Sequence, residues 1–338
     1  MDSLTQIVLG AAVGEAVLGK KVGNRAMLWG AVAGTIPDLD VLARYLTDTI
    51  TATEMHRGFS HSIVFSIVMA PLLGWLVSKI HKRLAIPWQD WAKLFFWGLF
   101  THPLLDAFTT WGTQLFWPFD WRLAFNTIFV IDPLYTVPFL VCVVWAMFKK
   151  KEAVQDVRFS RKRINRWGLY ISTTYLLLTV GIKYFAHTAF TKALEDQNIE
   201  YSQMSTRPGV MNTMLWNANV DAGENYLVGD YSFFDRKPIV FKKYPKKRSQ
   251  SERLASADEV QRLIRISEGW YILEKQEGRW IYNDLRFGLI PIDPENPQFV
   301  FRYILDENEG KVTATEDRPK TENMSAVLNT LWTRVKGN

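Results

Sequence analysis

Residues 56–80, HRGFSHSIVFSIVMAPLLGWLVSKI, decide the reading of this chain. From Ser62 to Ile80 the only charged residue is Lys79. The stretch has the length needed to cross a bilayer core, about 17–25 residues. Immediately before it, two imidazoles and a guanidinium crowd into His56–Ser62. The pattern points to a membrane protein that carries chemistry at one membrane face.

Working outward, three further stretches approach spanning length: Trp91–Phe108, Thr127–Phe148 and Trp167–Ala186. Two shorter ones, Leu4–Gly19 and Ala26–Leu42, are rich in Gly and Ala. This suits close helix packing and predicts a tight hairpin, spanning or re-entrant. The fold expected is a membrane α-helical bundle of about six apolar helices over residues 1–187, followed by a small extracytoplasmic α+β domain over residues 188–338. Of the 40 Lys+Arg and 34 Asp+Glu, residues 1–187 hold 19 and 12, so the basic excess lies in the membrane half. The 14 Trp, 12 Tyr and 21 Phe exclude disorder, and a single cysteine, Cys142, excludes a disulfide scaffold. The first stretch is not read as a signal peptide, because Asp2 precedes it and Lys20, Lys21 and Arg25 follow it.

Lys and Arg collect in cytoplasmic loops. Three clusters qualify: Lys20-Lys21 with Arg25, Lys79 with Lys82-Arg83, and Lys149-Lys150-Lys151 running on to Arg158, Arg161, Lys162, Arg163 and Arg166. Placing all three inside puts Met1 and the C-terminal half outside the inner membrane, in a multi-pass protein. The third cluster lies between two spans, so it reads as topology and lipid contact and not as a nucleic-acid patch. In the polar half, strands are expected at Asn225–Phe234, Pro238–Tyr244, Trp270–Glu274, Arg279–Tyr282 and Gln298–Leu305. A hairpin is expected across Lys275–Gly278, and a helix from the Ser256–Glu259 capping box through Ile266.

Ionisable groups near membrane spans are costly and mark function. Those to weigh are Asp38 and Asp40 in GTIPDLD (34–40), His56, Arg57 and His61, His102 and Asp106 in THPLLD (101–106), and Asp132 in VIDP (130–133). Under the orientation above they all fall on one face. His102 and Asp106 are four apart and share a helix face. His56 and His61, five apart, stand about 140° apart on an ideal helix and converge only if the helix begins between them, near Ser60. Pro37 turns the chain and lets Asp38 and Asp40 project from a break or cap. Imidazoles mixed with carboxylates suit Zn²⁺ first, then Mn²⁺ or Fe²⁺, and Mg²⁺ less well. The set His56, His61, His102, Asp106, Asp38, Asp40 and Asp132 is therefore the candidate metal site. Asp38 or Asp40 is the alternative general base, and Arg57 the residue to hold an anion. Thr109–Thr113 lie where they can line the mouth. Each motif alone also fits a hydrogen-bonded structural pair or a turn. No nucleophile elbow, Walker loop, GxGxxG or HExxH motif is present.

The opening MDSLTQIVLGAAVGEAVLGKK, GTIPDLD, HRGFSHS and HPLLDAFTTWG together resemble the YdjM-type inner-membrane family of predicted metal-dependent hydrolases, over roughly residues 1–150. By motif match the resemblance carries metal roles to Asp38, Asp40, His56, His61, His102 and Asp106, while Asp132 is added from topology. Members often begin with a Thr-His pair, and this chain has Thr5-Gln6. More loosely, the Pro-Asp turn, His residues and HxxxD are similar to the ligand pattern of zinc-dependent phospholipase C enzymes.

The expectation is a membrane hydrolase whose metal-activated water attacks a phosphoester or ester of a lipid or envelope-linked substrate, with membrane lipids as partners and no nucleic acid. The alternatives are a metal- or proton-coupled transporter, and a structural membrane protein with a satisfied polar cluster.

Overall fold

The computed structural model describes residues 1–149, 160–290, 298–308, 311–317 and 324–338. Lys150, Lys151 and Arg158 of the third basic cluster lie outside the described residues. The chain runs α1 (Ser3–Val22), α2 (Asn24–Thr35), a 3-10 turn at Pro37–Tyr45, α3 (Thr49–Met55), a 3-10 turn at Phe59–His61, α4 (Ile63–Ile80), α5 (Trp88–Asp106), α6 (Pro133–Phe148) and α7 (Arg161–Asp196). After α7 come β1 (Gln203–Pro208), β2 (Leu215–Ala222), β3 (Asn225–Ser232), β4 (Phe241–Pro245), α8 (Arg248–Ala255), α9 (Asp258–Ile266), β5 (Tyr271–Gln276), β6 (Arg279–Ile290), β7 (Gln298–Asn308), β8 (Lys311–Asp317) and α10 (Met324–Val335). Two compact units result. One comprises Met1–Ala43 with Met55–Gly181, the other Arg44–Glu54 with Ile182–Asn338.

In the first unit, Asp2 caps α1 by accepting from the Thr5 backbone N–H, and Gly23 ends the helix at a positive φ of 64°. The α1–α2 hairpin packs backbone to backbone. A Cβ on Gly10 would overlap the Gly30 carbonyl oxygen, one on Gly14 that of Ala26, and one on Gly34 that of Gln6. Only glycine at these positions permits the approach, which brings the end of α2 beside α5. Val8, Leu9 and Ala12 of α1 bury against Phe139 and Val143 of α6. Ala26 and Ala33 of α2 bury against Trp91, Leu94 and Leu99 of α5.

By length and composition α4 and α7 can cross a membrane. A third candidate is α2 together with the Pro37–Tyr45 turn, bent by 44° at the proline. At 16 residues, α6 is apolar but short. Of the about six apolar helices expected, the first two possibly re-entrant, two among the described residues have spanning character by length and composition, or three with the bent pair. Two of the expected spans are helices diluted by polar residues, Gln6, Glu15 and Lys20 in α1 and Asp90, Lys93, His102 and Asp106 in α5.

The second unit holds two four-stranded antiparallel sheets, each with its strands in chain order, β1-β2-β3-β4 and β5-β6-β7-β8. Trp216, Ala218 and Val220 of β2 alternate onto Phe190 and Leu194 of α7. Leu254 of α8, Val260 and Leu263 of α9, Tyr282 and Leu305 form a second core that also takes in Ile50 of α3. Arg262 holds that segment by donating to Glu54 Oε2 at 2.6 Å and Thr51 Oγ1 at 2.7 Å. The expected hairpin is present as β5–β6, closed on Glu277 (φ 49°) and Gly278 (φ 84°), the left-handed pair that a two-residue hairpin favours. The expected helix start shifts. Ser256 ends α8 and donates to the Arg253 carbonyl, so α9 begins at Asp258 after Ala257 with no side-chain cap. Strands β1, β2 and β8 were not expected.

Candidate metal centre

Three local breaks in the first unit present the polar groups. Pro37 stops α2 and tightens the chain into the turn that carries Asp38 and Asp40. Arg57 takes a left-handed φ of 59°, and the following turn, Phe59–His61, ends where the Ser62 hydroxyl accepts from Phe65 N–H to cap α4. The last turn of α5 carries His102 and Asp106 on one face, as the spacing predicts.

These breaks bring together Asp38, His61, His102 and Asp106. The two imidazole Nε2 atoms are 3.1 Å apart. Asp38 Oδ1 lies 3.4 Å from His61 Nε2 and 3.3 Å from His102 Nε2. Asp106 Oδ2 lies 3.5 Å and 3.6 Å from the same two atoms. Four donors bound at about 2.0–2.2 Å in a tetrahedron stand about 3.3–3.6 Å from one another; the two imidazoles and their carboxylate neighbours have that spacing, and all four ligand atoms lie within 4.8 Å of one another, close enough to share one ion.

The outer partners settle the tautomers. His102 Nδ1 faces the Gly34 carbonyl at 2.6 Å; a carbonyl only accepts, so Nδ1 carries the proton. His61 Nδ1 faces Ser60 Oγ at 3.0 Å and Asp40 Oδ2 at 3.3 Å, and Ser60 Oγ itself donates to Asp40 Oδ2 at 2.8 Å. Its Nδ1 is therefore the donor as well. With both rings neutral, the two Nε2 lone pairs then point at each other and at two carboxylate oxygens, four acceptors with no donor between them, and either a metal ion or a proton on His61 Nε2 has to fill the group. Asp106 Oδ2 is buried without a hydrogen-bond partner among the described residues. Such an arrangement calls for a cation. Burial by itself would lower the basicity of His61, but Asp106, Asp38 and Asp40 outweigh it and raise the imidazole to about 9.

The other expected residues fall around this group. Asp40 stands one layer out. It accepts from His56 Nδ1 at 2.8 Å, Arg57 N–H at 2.9 Å and Ser60, and so orients His61. His56 takes the far oxygen of Asp40 and does not join the four, because the helix begins at Ile63 and not between the two histidines. Arg57 is 3 % exposed, lies 3.2 Å from Asp106 Oδ2 and donates to Thr109 Oγ1 at 2.8 Å. It balances Asp106 and does not face solvent. Asp132 is not brought to the group. Its oxygens accept from Leu134 N–H and Tyr135 N–H at the start of α6 and from the Tyr175 hydroxyl. The loop after α5 clamps the histidine turn, with Gln114 N–H donating to the Arg57 carbonyl and Arg122 to that of His56.

Sequence reasoning left out three contributors: the Gly34 carbonyl, Ser60 and Gln6. Gln6 Nε2 donates to Asp106 Oδ1 at 3.0 Å and to the His102 carbonyl at 3.3 Å, and the Met1 amine also meets Asp106 Oδ1. The signal for Gln6 was its place beside Thr5 in the opening motif.

Residues 1–190, more than half of the chain, match the family described as YdjM inner membrane protein. The chain belongs to this family. The YdjM match contains every residue of the candidate centre and stops within α7. Inner membrane protein YbcI of Escherichia coli (strain K12) is 30% identical over 118 residues, which covers 35% of this chain and 66% of that relative, just under two thirds of its length. No solved structure matches the chain. The resemblance to the YdjM-type family thus stands, and with it a place among inner membrane proteins.

Proposed function

We propose that this protein is a metal-dependent hydrolase of the inner membrane in which Asp38, His61, His102 and Asp106 hold one divalent ion, zinc before manganese or iron. The observation that carries the reading is the convergence of four acceptors, two of them imidazole Nε2 atoms whose Nδ1 protons are already committed elsewhere. An ion bound there supplies Lewis acidity, which brings the deprotonation of water towards about pH 7.

The chain's own residues divide the remaining work. Gly34 and Asp40 orient the two imidazoles, and Arg57 neutralises Asp106. Asp38 has 21 % side-chain exposure where the other three have none. It is the side from which substrate and water would arrive, water joining as a further ligand, and its second carboxylate oxygen would accept the water's proton. Phe116, Trp117, Phe119 and Trp121 are exposed on the loop that clamps the histidine turn, and the Trp117 ring packs on Phe59 at 4.9 Å. Aromatic residues of this kind sit at headgroup level, which supports a phosphoester or ester of a lipid or envelope-linked molecule as substrate. The basic clusters support an orientation with the site and the C-terminal half outside, and the apolar segments a bundle of about six helices of which the first two are re-entrant or spanning.

The test is a panel of phosphoester and carboxylic ester lipids offered to full-length protein in detergent, with chelator and with zinc restored. Product release that chelation stops, zinc restores and Asp38→Asn removes supports the reading. Metal-loaded protein that releases nothing, or release indifferent to chelation, overturns it. Ion flux in proteoliposomes without product would make the protein a transporter.

A further inference from the structure

Residues 44–54 join the two turns that carry most of the candidate ligands. Asp38 and Asp40 precede them, and His56 and His61 follow. The base of this loop is closed beside the centre, where Asp40 accepts from His56 Nδ1 at 2.8 Å and from Arg57 N–H at 2.9 Å. Its tip belongs to the second unit, which takes in Arg44–Glu54.

The tip is held by three kinds of contact. Asp48 caps α3 by accepting from Thr51 N–H at 2.9 Å and from the Thr51 hydroxyl at 2.6 Å. Ile50 is 2 % exposed, in one core with Leu254, Val260, Leu263 and Tyr282. Arg262 of α9 donates through Nη2 to Thr51 Oγ1 and Glu54 Oε2, and through Nε to both Glu54 oxygens at 3.2 Å, a forked grip on a carboxylate. A helix of seven residues does not persist alone, so α3 is ordered by side chains some 200 positions further along the chain, 208 from Glu54 to Arg262. It runs to Met55, one residue before His56. A shift of α3 therefore passes to His56, from His56 to Asp40, and from Asp40 to His61, whose Nδ1 lies 3.3 Å from Asp40 Oδ2. Ligands that share one ion tolerate errors of only about 0.2 Å.

We propose that Ile50 and Arg262 are positioning residues for the metal centre: the C-terminal unit grips the loop between the aspartate and histidine turns and thereby sets how Asp38 and His61 approach the ion. This rests on the metal reading above and gives the C-terminal unit its part in it. Coupling of this kind is reciprocal, so binding of the ion should tighten the loop and α9, neither of which holds a ligand.

Zinc titration with hydrogen-exchange mass spectrometry, on full-length protein in detergent, tests it. In wild type, zinc should slow exchange at the ligand turns and also in residues 44–54 and α9. Arg262→Gln and Ile50→Ala loosen the loop through different contacts. Each should weaken zinc binding by about 3- to 30-fold, the range for changes along a coupling network, and abolish the protection of α9. Arg262→Lys, which keeps the charge, should retain part of both. Exchange in β2, which lies in the separate core on α7, shows whether a variant is folded. Where a variant is not, the wild-type protection pattern decides. Zinc that protects the ligand turns but leaves residues 44–54 and α9 unchanged, or that binds the folded variants as tightly as wild type, would overturn the coupling and leave the metal reading standing. No zinc on wild type would remove both.

Discussion

The two units carry opposite imbalances of hydrogen-bonding groups. In the first, two imidazole nitrogens lie 3.1 Å apart and 3.3–3.6 Å from two carboxylate oxygens, an acceptor surplus that a proton or an ion must offset. In the second, the buried guanidinium of Arg207 in β1 has two N–H groups with no acceptor among the described residues. Buried polar groups are nearly always paired, so the convergence of four acceptors from three segments points to a cation, whereas the single guanidinium with one accepted bond is a local cost of burial. The difference teaches how to tell a site from a structural pair. Asp132 is as buried as Asp106, yet its oxygens accept from two backbone N–H groups and a tyrosine hydroxyl. It caps a helix, and each of its oxygens already has a donor.

The contrast can be broken in several places. His61→Ala removes one of the four acceptors and should cost the most metal affinity, more than any change in the outer layer. Asp40→Asn should leave the four donors in place and weaken binding by about 10–100-fold, the usual effect of losing an outer carboxylate; titration against a chromophoric chelator measures both. The pH dependence follows from His61. Its proton stays on up to about pH 9 and an entering ion must displace it, so apparent affinity should fall by up to about tenfold for each unit below 9. A flat profile between pH 6 and 8 would remove His61 from the ligand set.

Two smaller effects sharpen the comparison. Arg207→Met should unfold at the same or a higher temperature than wild type, since an apolar residue of similar volume replaces an unmatched buried charge. A marked drop would mean that Arg207 is already satisfied. Asp132→Ala should cost about 0.5–2 kcal/mol in thermal unfolding through the lost cap and leave metal content untouched. Loss of metal there would return Asp132 to the site.

Much of the centre was legible because its residues sit at local breaks. Pro37 announces the turn that carries Asp38, and the i, i+4 spacing announces the face shared by His102 and Asp106. What local sequence could not supply is which donors meet across segments. His56 and His61 look equivalent in HRGFSHS, and only the start of α4 at Ile63 sends one to the group and the other to Asp40. The Gly34 carbonyl was invisible because its role depends on glycines 10, 14, 30 and 34 drawing α1 and α2 into backbone contact. In the C-terminal half, β2 reads LWNANVDA. Its inward residues Trp216, Ala218 and Val220 alternate correctly, but their partners along the strand are Asn217, Asn219 and Asp221, residue types depleted in strands, so composition passes over it. Residues 44–54 are polar enough to read as a loop, yet Ile50 is 2 % exposed in the core of the second unit, a placement set by Arg262 and α9 far along the chain.

The central claim is tested most directly by metal content. Full-length protein and a His102→Ala, Asp106→Ala double variant would be purified in detergent, offered zinc, manganese and iron, and measured by mass spectrometry. About one ion per chain in wild type and none in the variant, with both inserted in the membrane, is the predicted result. No ion in wild type under any loading, or equal metal in the two proteins, would contradict it.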